Sequence, residues 1–166
     1  GVELDIRDGE VCIRGPFLFN GYYRLPEKTA EKLRDGWYYS GDLGFIEAGE
    51  LYVTGRKDDM LIVAGRNYFA HEIEAVANTV AGALPGRNVA IGVPDARTDA
   101  IVVVLLAECA PETSPEEVGR EIRREVLERT GLTLHAVVPL NRGDLIKTTS
   151  GKISRTKNRE LYLAQE

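Results

Sequence analysis

Thr54-Gly55-Arg56-Lys57-Asp58-Asp59-Met60-Leu61-Ile62-Val63-Ala64-Gly65-Arg66-Asn67 is the stretch on which the organisation of this chain turns. The apolar run Leu51-Tyr52-Val53 ends just before it and Met60-Leu61-Ile62-Val63 begins inside it, with charged and turn-forming residues between them. The residues read as a strand, a charged break and a strand. Two accounts fit: a hairpin with a solvated turn, or a hinge between two unequal parts.

On the N-terminal side of this stretch, residues 1–57 read as strands and turns with one short helix. Glu10-Val11-Cys12-Ile13-Arg14 alternates as a half-buried strand, and Pro26 to Leu33 is a short helix with proline in its first turn. Gly36 to Phe45 and Gly49 to Val53 read as paired strands around an Ala48-Gly49 turn. This part holds too little apolar sequence to enclose its own core, since a domain of about 60 residues buries only about 60% of its chain surface. It reads as the tail of a larger domain.

On the C-terminal side, strands and helices alternate. Helical spacing from His71 to Thr79 aligns Ile73, Val76, Ala77 and Val80, while Asn88–Val93 and Ala100–Ala107 are β-branched apolar runs. Ser114-Pro115-Glu116-Glu117 is a helix start with a cap, a first-turn proline and a capping-box glutamate. Val118, Ile122 and Val126 line one face of that helix, Gly131 ends it, and Ala136-Val137-Val138 forms a strand before Pro139. Gly82 to Gly86 reads as a loop. The fold class is α+β, with a mixed sheet flanked by helices and a β-hairpin, and this part is large enough to fold alone.

Composition bounds the function. A 166-residue chain with 43% hydrophobic and 28% charged residues is that of a globular protein. No apolar run approaches the roughly 18 residues of a membrane span, and Gly1-Val2-Glu3-Leu4-Asp5 lacks a signal-peptide build, so a cytoplasmic location is expected. A net charge of −5 argues against nucleic acid as partner. Two cysteines, Cys12 and Cys109, and two histidines, His71 and His135, have no metal-ligand spacing, and no metal site is expected of them.

Four features carry candidate chemistry. Asp42, after Gly41 at a strand end, is suited either to accept hydrogen bonds from a vicinal diol or to satisfy turn amides. Asp58, in the solvated Lys57-Asp58-Asp59, suits a pivot. Gly65 is either a turn glycine or a point where a ligand approaches the backbone, with Arg66-Asn67-Tyr68 at the loop tip and Asn67 able to take positive φ. Lys152 ends the polar turn Thr148-Thr149-Ser150-Gly151; from Arg142 to Arg159 there are six basic residues and one acidic one, Asp144, a run that is either solvated surface or an anion site.

These residues together resemble the acyl-adenylate-forming, AMP-dependent ligases, above all the fatty acyl-AMP ligases and acyl-CoA synthetases. The resemblance lies in Gly55-Arg56, Asp58, Gly65 and Glu72-Ile73-Glu74; in Gly9-Glu10 to Gly15-Pro16, Gly21-Tyr22-Tyr23 and Gly36 to Gly44; and most specifically in Lys147-Thr148-Thr149-Ser150-Gly151-Lys152-Ile153-Ser154-Arg155. Ile146, where many members have proline, and Asn158 depart from the pattern.

The resemblance implies that residues 1–57 are the end of a large N-terminal domain and residues 58–166 a small mobile C-terminal domain. It implies Asp42 and Arg56 as nucleotide contacts, Asp58 as the hinge, Gly65 as lining the acceptor tunnel, and Lys152 as the catalytic cation between carboxylate and α-phosphate. The implied reaction joins a fatty acid or other carboxylic acid to ATP with magnesium, releases pyrophosphate, and passes the acyl group to an acyl carrier protein. Gly65-Arg66-Asn67 before aromatic residues favours that acceptor; coenzyme A is the alternative. This chain by itself is expected to be inactive, the phosphate loop and acyl pocket belonging to the large domain in the family. A non-catalytic module that binds a carrier protein is the other class of reading.

Overall fold

The charged break folds as a single 3-10 turn, Lys57–Asp59, between the strands Glu50–Arg56 and Met60–Val63. The computed structural model describes residues 1–165 and divides after Met60 into two compact units.

The first unit is built on a five-stranded sheet. Strands β1 (Glu3–Arg7), β2 (Glu10–Arg14), β3 (Leu33–Arg34), β4 (Trp37–Glu47) and β5 (Glu50–Arg56) are all paired antiparallel, with β4 central and helix α1 (Pro26–Lys32) preceding β3. Ala48 and Gly49 both take positive φ, as a two-residue turn matching the strand twist requires. In β2 the three successive residues Glu10, Val11 and Cys12 are all buried, so both faces of that strand are covered instead of the alternation expected of a half-buried one, and buried Trp37 carries Arg7 and Arg14 stacked on its ring. Phe45, Ile46, Tyr52 and Val53 of β4 and β5 remain exposed.

The second unit opens with a hairpin of β6 (Met60–Val63) and β7 (Arg66–Phe69), then α2 (Ala70–Ala77). Its tip is Ala64-Gly65, both at positive φ. Arg66-Asn67-Tyr68 therefore lies in β7, not at the loop tip, and Asn67 has no positive φ; the one-turn hairpin puts the left-handed backbone two residues earlier.

The centre of this unit is a three-stranded mixed sheet. β8 (Ala83–Pro94) runs antiparallel to β9 (Ile101–Cys109), and β10 (Ala136–Leu140) runs parallel to β9. Gly82–Gly86 is only in part a loop, since Ala83 already pairs with Cys109 and the extra residues before Asn88 form an irregularity within β8. Pro139 lies inside β10 instead of ending it; β10 is an edge strand, where a missing N–H is tolerated.

Both sheet faces are covered. Val103, Leu105 and Ala107 meet α2 and α3 (Pro115–Thr130), whose Val118, Ile122 and Val126 are buried at helical spacing. Burial of each such side chain contributes about 1.5–3 kcal/mol. Ser114 Oγ accepts from Glu117 N at 3.4 Å and Gly131 closes the helix at φ 71°. The opposite face, Val89, Ile91, Val93, Val104 and Leu106, is covered by Leu145, Ile153 and Tyr162, the last from α4 (Arg155–Leu163).

Candidate functional site

The first unit brings Asp42 and Arg56 together. They are register partners across β4 and β5, and Arg56 Nε lies 3.4 Å from Asp42 Oδ1. Gly41 immediately before takes φ 83°, and Asp42 N donates to Ser40 Oγ at 3.0 Å. Both side chains remain substantially exposed, Arg56 at 60% and Asp42 at 42%.

Beneath them lies a carboxylate that sequence reading passed over. Glu10, 3% exposed, accepts the Gly41 N–H at 2.9 Å and the Lys57 ammonium at 3.0 Å. Burial works to raise its carboxyl, but the bonds from Lys57 and Gly41 outweigh that and hold it below the usual range. Asp58 follows Lys57 in the 3-10 turn.

In the second unit, Lys152 sits on a small hairpin. Lys147 bridges Ile153, Thr148 N donates to Lys152 O at 2.7 Å, and Gly151 turns the chain at φ 83°. Lys152 is exposed and makes no ion pair among the described residues. It borders a polar cavity of about 330 Å³ together with Lys147, Glu74, Asn78, Gly86 and Asn88. Gly65 stands apart from it on the β6–β7 turn, with open space where a side chain would be.

The basic run is not uniformly solvated. Arg155 donates to Glu74 and, at 2.7 Å, to Ala90 O; Arg159 donates to Gly92 O at 2.7 Å; Glu74 Oε1 accepts Ala90 N at 2.9 Å. These groups occupy the outer edge of β8 and anchor α4 to the sheet. Lys147, Lys152 and Lys157 face outward.

A buried polar pair holds the root of the hairpin. Glu108, fully buried on β9, accepts Leu145 N at 3.0 Å, and Asn158, 1% exposed on α4, accepts Ile146 N at 3.0 Å. Glu108 interrupts an apolar strand on the face of Val104 and Leu106, the one signal by which it was findable.

Comparison with known proteins gives the class: over nearly its whole length the chain matches the C-terminal part of acyl-adenylate-forming, AMP-dependent ligases. It is 35% identical over 176 residues to a 4-hydroxyphenylalkanoate adenylyltransferase of Mycobacterium tuberculosis, covering 95% of this chain and 28% of that protein. It is 34% identical to the long-chain-fatty-acid–AMP ligase FadD26 of Mycobacterium tuberculosis, over 93% of this chain and 29% of the relative. A 3-hydroxybenzoate–CoA ligase of Aromatoleum sp. is also 34% identical, over 98% of this chain and 31% of the relative. The structure of McyG A-PCP complexed with phenylalanyl-adenylate superposes with a TM-score of 0.86 at 29% identity, over 99% of this chain and 32% of that one. No protein-family model matches. The chain thus spans less than a third of the length of these relatives.

Proposed function

We propose that this chain serves as the C-terminal portion of an ATP-dependent ligase that adenylates a fatty or other carboxylic acid, with magnesium, and passes the acyl group to an acyl carrier protein thiol. Residues 1–57 form the end of the large domain, residues 58–166 the swinging lobe, and Asp58 the pivot. The observation that carries this reading is the exposed Lys152 on a hairpin tied into the lobe's core, with no ion pair among the described residues to neutralise it.

In this reading Asp42 accepts hydrogen bonds from the ribose hydroxyls and Arg56 orients it and faces the phosphates. Both fit, since each is partly solvent-exposed and their charges are already paired across the strands. Carboxylate attack on the α-phosphorus brings two anions together while pyrophosphate leaves. Lys152 supplies the cation at that point, and a single preorganised donor of this kind is worth on the order of 10²–10³ in rate. The lobe then swings to bring Gly65, where no side chain intrudes, toward the acceptor.

The relatedness to both an AMP ligase and a CoA ligase favours coenzyme A as the second reading of the acceptor. Incubating the full-length ligase with acid, ATP and either thiol separates them: rapid acyl-CoA formation overturns the carrier-protein assignment. Lys152→Ala in the full-length ligase abolishes carboxylate-dependent pyrophosphate exchange on this reading, and an unaltered rate refutes it. The chain by itself is expected to show no exchange.

A further inference from the structure

We infer that Asn158 is a positioning residue for Lys152: its buried carboxamide completes the root of the hairpin that carries the ammonium. The inference rests on the adenylation role proposed for Lys152.

Lys147 faces Ile153 across the hairpin, so Ile146 faces Ser154. In a continuing antiparallel ladder these two would exchange both backbone bonds. Only one is made, from Ser154 N to Ile146 O at 2.9 Å, because Ser154 is already the N-cap of α4 and its carbonyl accepts the Asn158 backbone N–H at 3.0 Å. The Asn158 side chain enters the gap. Its Oδ1 takes Ile146 N at 3.0 Å, and its Nδ2 donates to Ile146 O at 2.9 Å and Ser154 O at 2.8 Å. The amide thus replaces the missing rung and ties both hairpin strands to the helix.

Asn158 is the one buried residue of α4, and an apolar side chain there would leave the Ile146 N–H without the partner that the Ser154 carbonyl no longer provides. Leu145, beside Ile146, is held in the same manner by fully buried Glu108. Two successive amides at the hairpin root are therefore pinned by side chains from two different elements, and Leu145 and Ile153 pack into the core. Beyond that root the chain is solvated through Lys152. A long, flexible lysine delivers its charge reproducibly only if the backbone beneath it is fixed, and a shift of about 1 Å in a positioned group can cost on the order of 10²-fold in rate.

The test uses the full-length ligase with Asn158→Leu, which keeps the branched outline of the side chain and removes the carboxamide. The expected result is a fall in adenylation kcat on the order of 10- to 100-fold with KM for ATP and acid unchanged, acyl transfer from supplied acyl-AMP unaffected, and faster hydrogen exchange at the Ile146 amide. Equal losses in both half-reactions, or normal adenylation in this variant while Lys152→Ala is inactive, overturn the positioning role alone. Normal adenylation by Lys152→Ala overturns instead the reading on which it rests. Asn158→Ser, smaller and unable to span both carbonyls, is read in the same way if the leucine variant does not fold.

Discussion

Lys57 holds its ammonium 3.0 Å from the Glu10 carboxylate, which in turn takes the Gly41 amide at 2.9 Å. One buried acid thereby joins the strand before Asp42 to the residue before Asp58. Because the native carboxyl is held below its ordinary value near 4.5, the ionised form contributes stability that is present above that pH and is lost as pH falls through the native value. Denaturant titrations at a series of pH values should show wild type more stable than Glu10→Gln at neutral pH, with the gap closing below about pH 4.5. A gap independent of pH would remove the ionised bridge from the account.

Gly44 sits at the bulge between β4 and β5, where an added Cβ would collide with the Tyr52 carbonyl and approach Val11 at 3.1 Å. The backbone there has no positive φ, so the difficulty is space alone. Gly44→Ala is expected to destabilise the first unit by about 1–3 kcal/mol, read from chemical denaturation. A neutral substitution would mean the bulge can relax.

Ala64 pays a conformational cost at φ 49° beside Gly65 in the β6–β7 turn. Left-handed backbone costs most L-residues about 1–2 kcal/mol, and asparagine tolerates it better. Ala64→Asn should raise the unfolding free energy by roughly 0.5–1 kcal/mol, and a lowered melting temperature would contradict the turn geometry.

Arg159 donates to the Gly92 carbonyl at 2.7 Å on the open edge of β8. Replacing it with methionine keeps much of the packing and removes the donor. The expected loss is about 1.5–3 kcal/mol, as for a hydrogen bond to a charged group, with increased exchange of amides in β8 and α4. Unchanged exchange would show that α4 is held without it.

Asp42→Ala in the full-length ligase is expected to raise KM for ATP on the order of 10-fold or more, the equivalent of one charge-assisted hydrogen bond. Steady-state kinetics with varied ATP measures this. A fall in kcat at unchanged KM would place Asp42 in the chemistry instead of in nucleotide binding.

Much of the fold was legible because its causes are local. Ala48-Gly49 could hardly be anything but a turn, Ser114-Pro115 and Gly131 bracket α3 as their chemistry demands, and the β-branched runs at 88–93 and 100–107 became the central strands. Errors arose where backbone conformation depended on neighbours. Asn67 was a reasonable candidate for positive φ, yet the pairing of β6 with β7 placed that conformation at Ala64. Pro139 reads as a strand end, but an edge position removes the need for its N–H.

What the sequence determined by itself is a set of candidate groups: Asp42, Arg56, Asp58, Gly65 and Lys152 stand in short patterns whose spacing is set along the chain. What only the tertiary structure decided is how those groups are held. Glu10 meets Lys57 from 47 residues away, Glu108 meets Leu145 from 37, and Asn158 reaches back 12 residues to Ile146. A buried polar side chain must find its partner wherever folding brings a free amide or charge, and that partner is fixed by sheet register and helix docking, which no local pattern encodes.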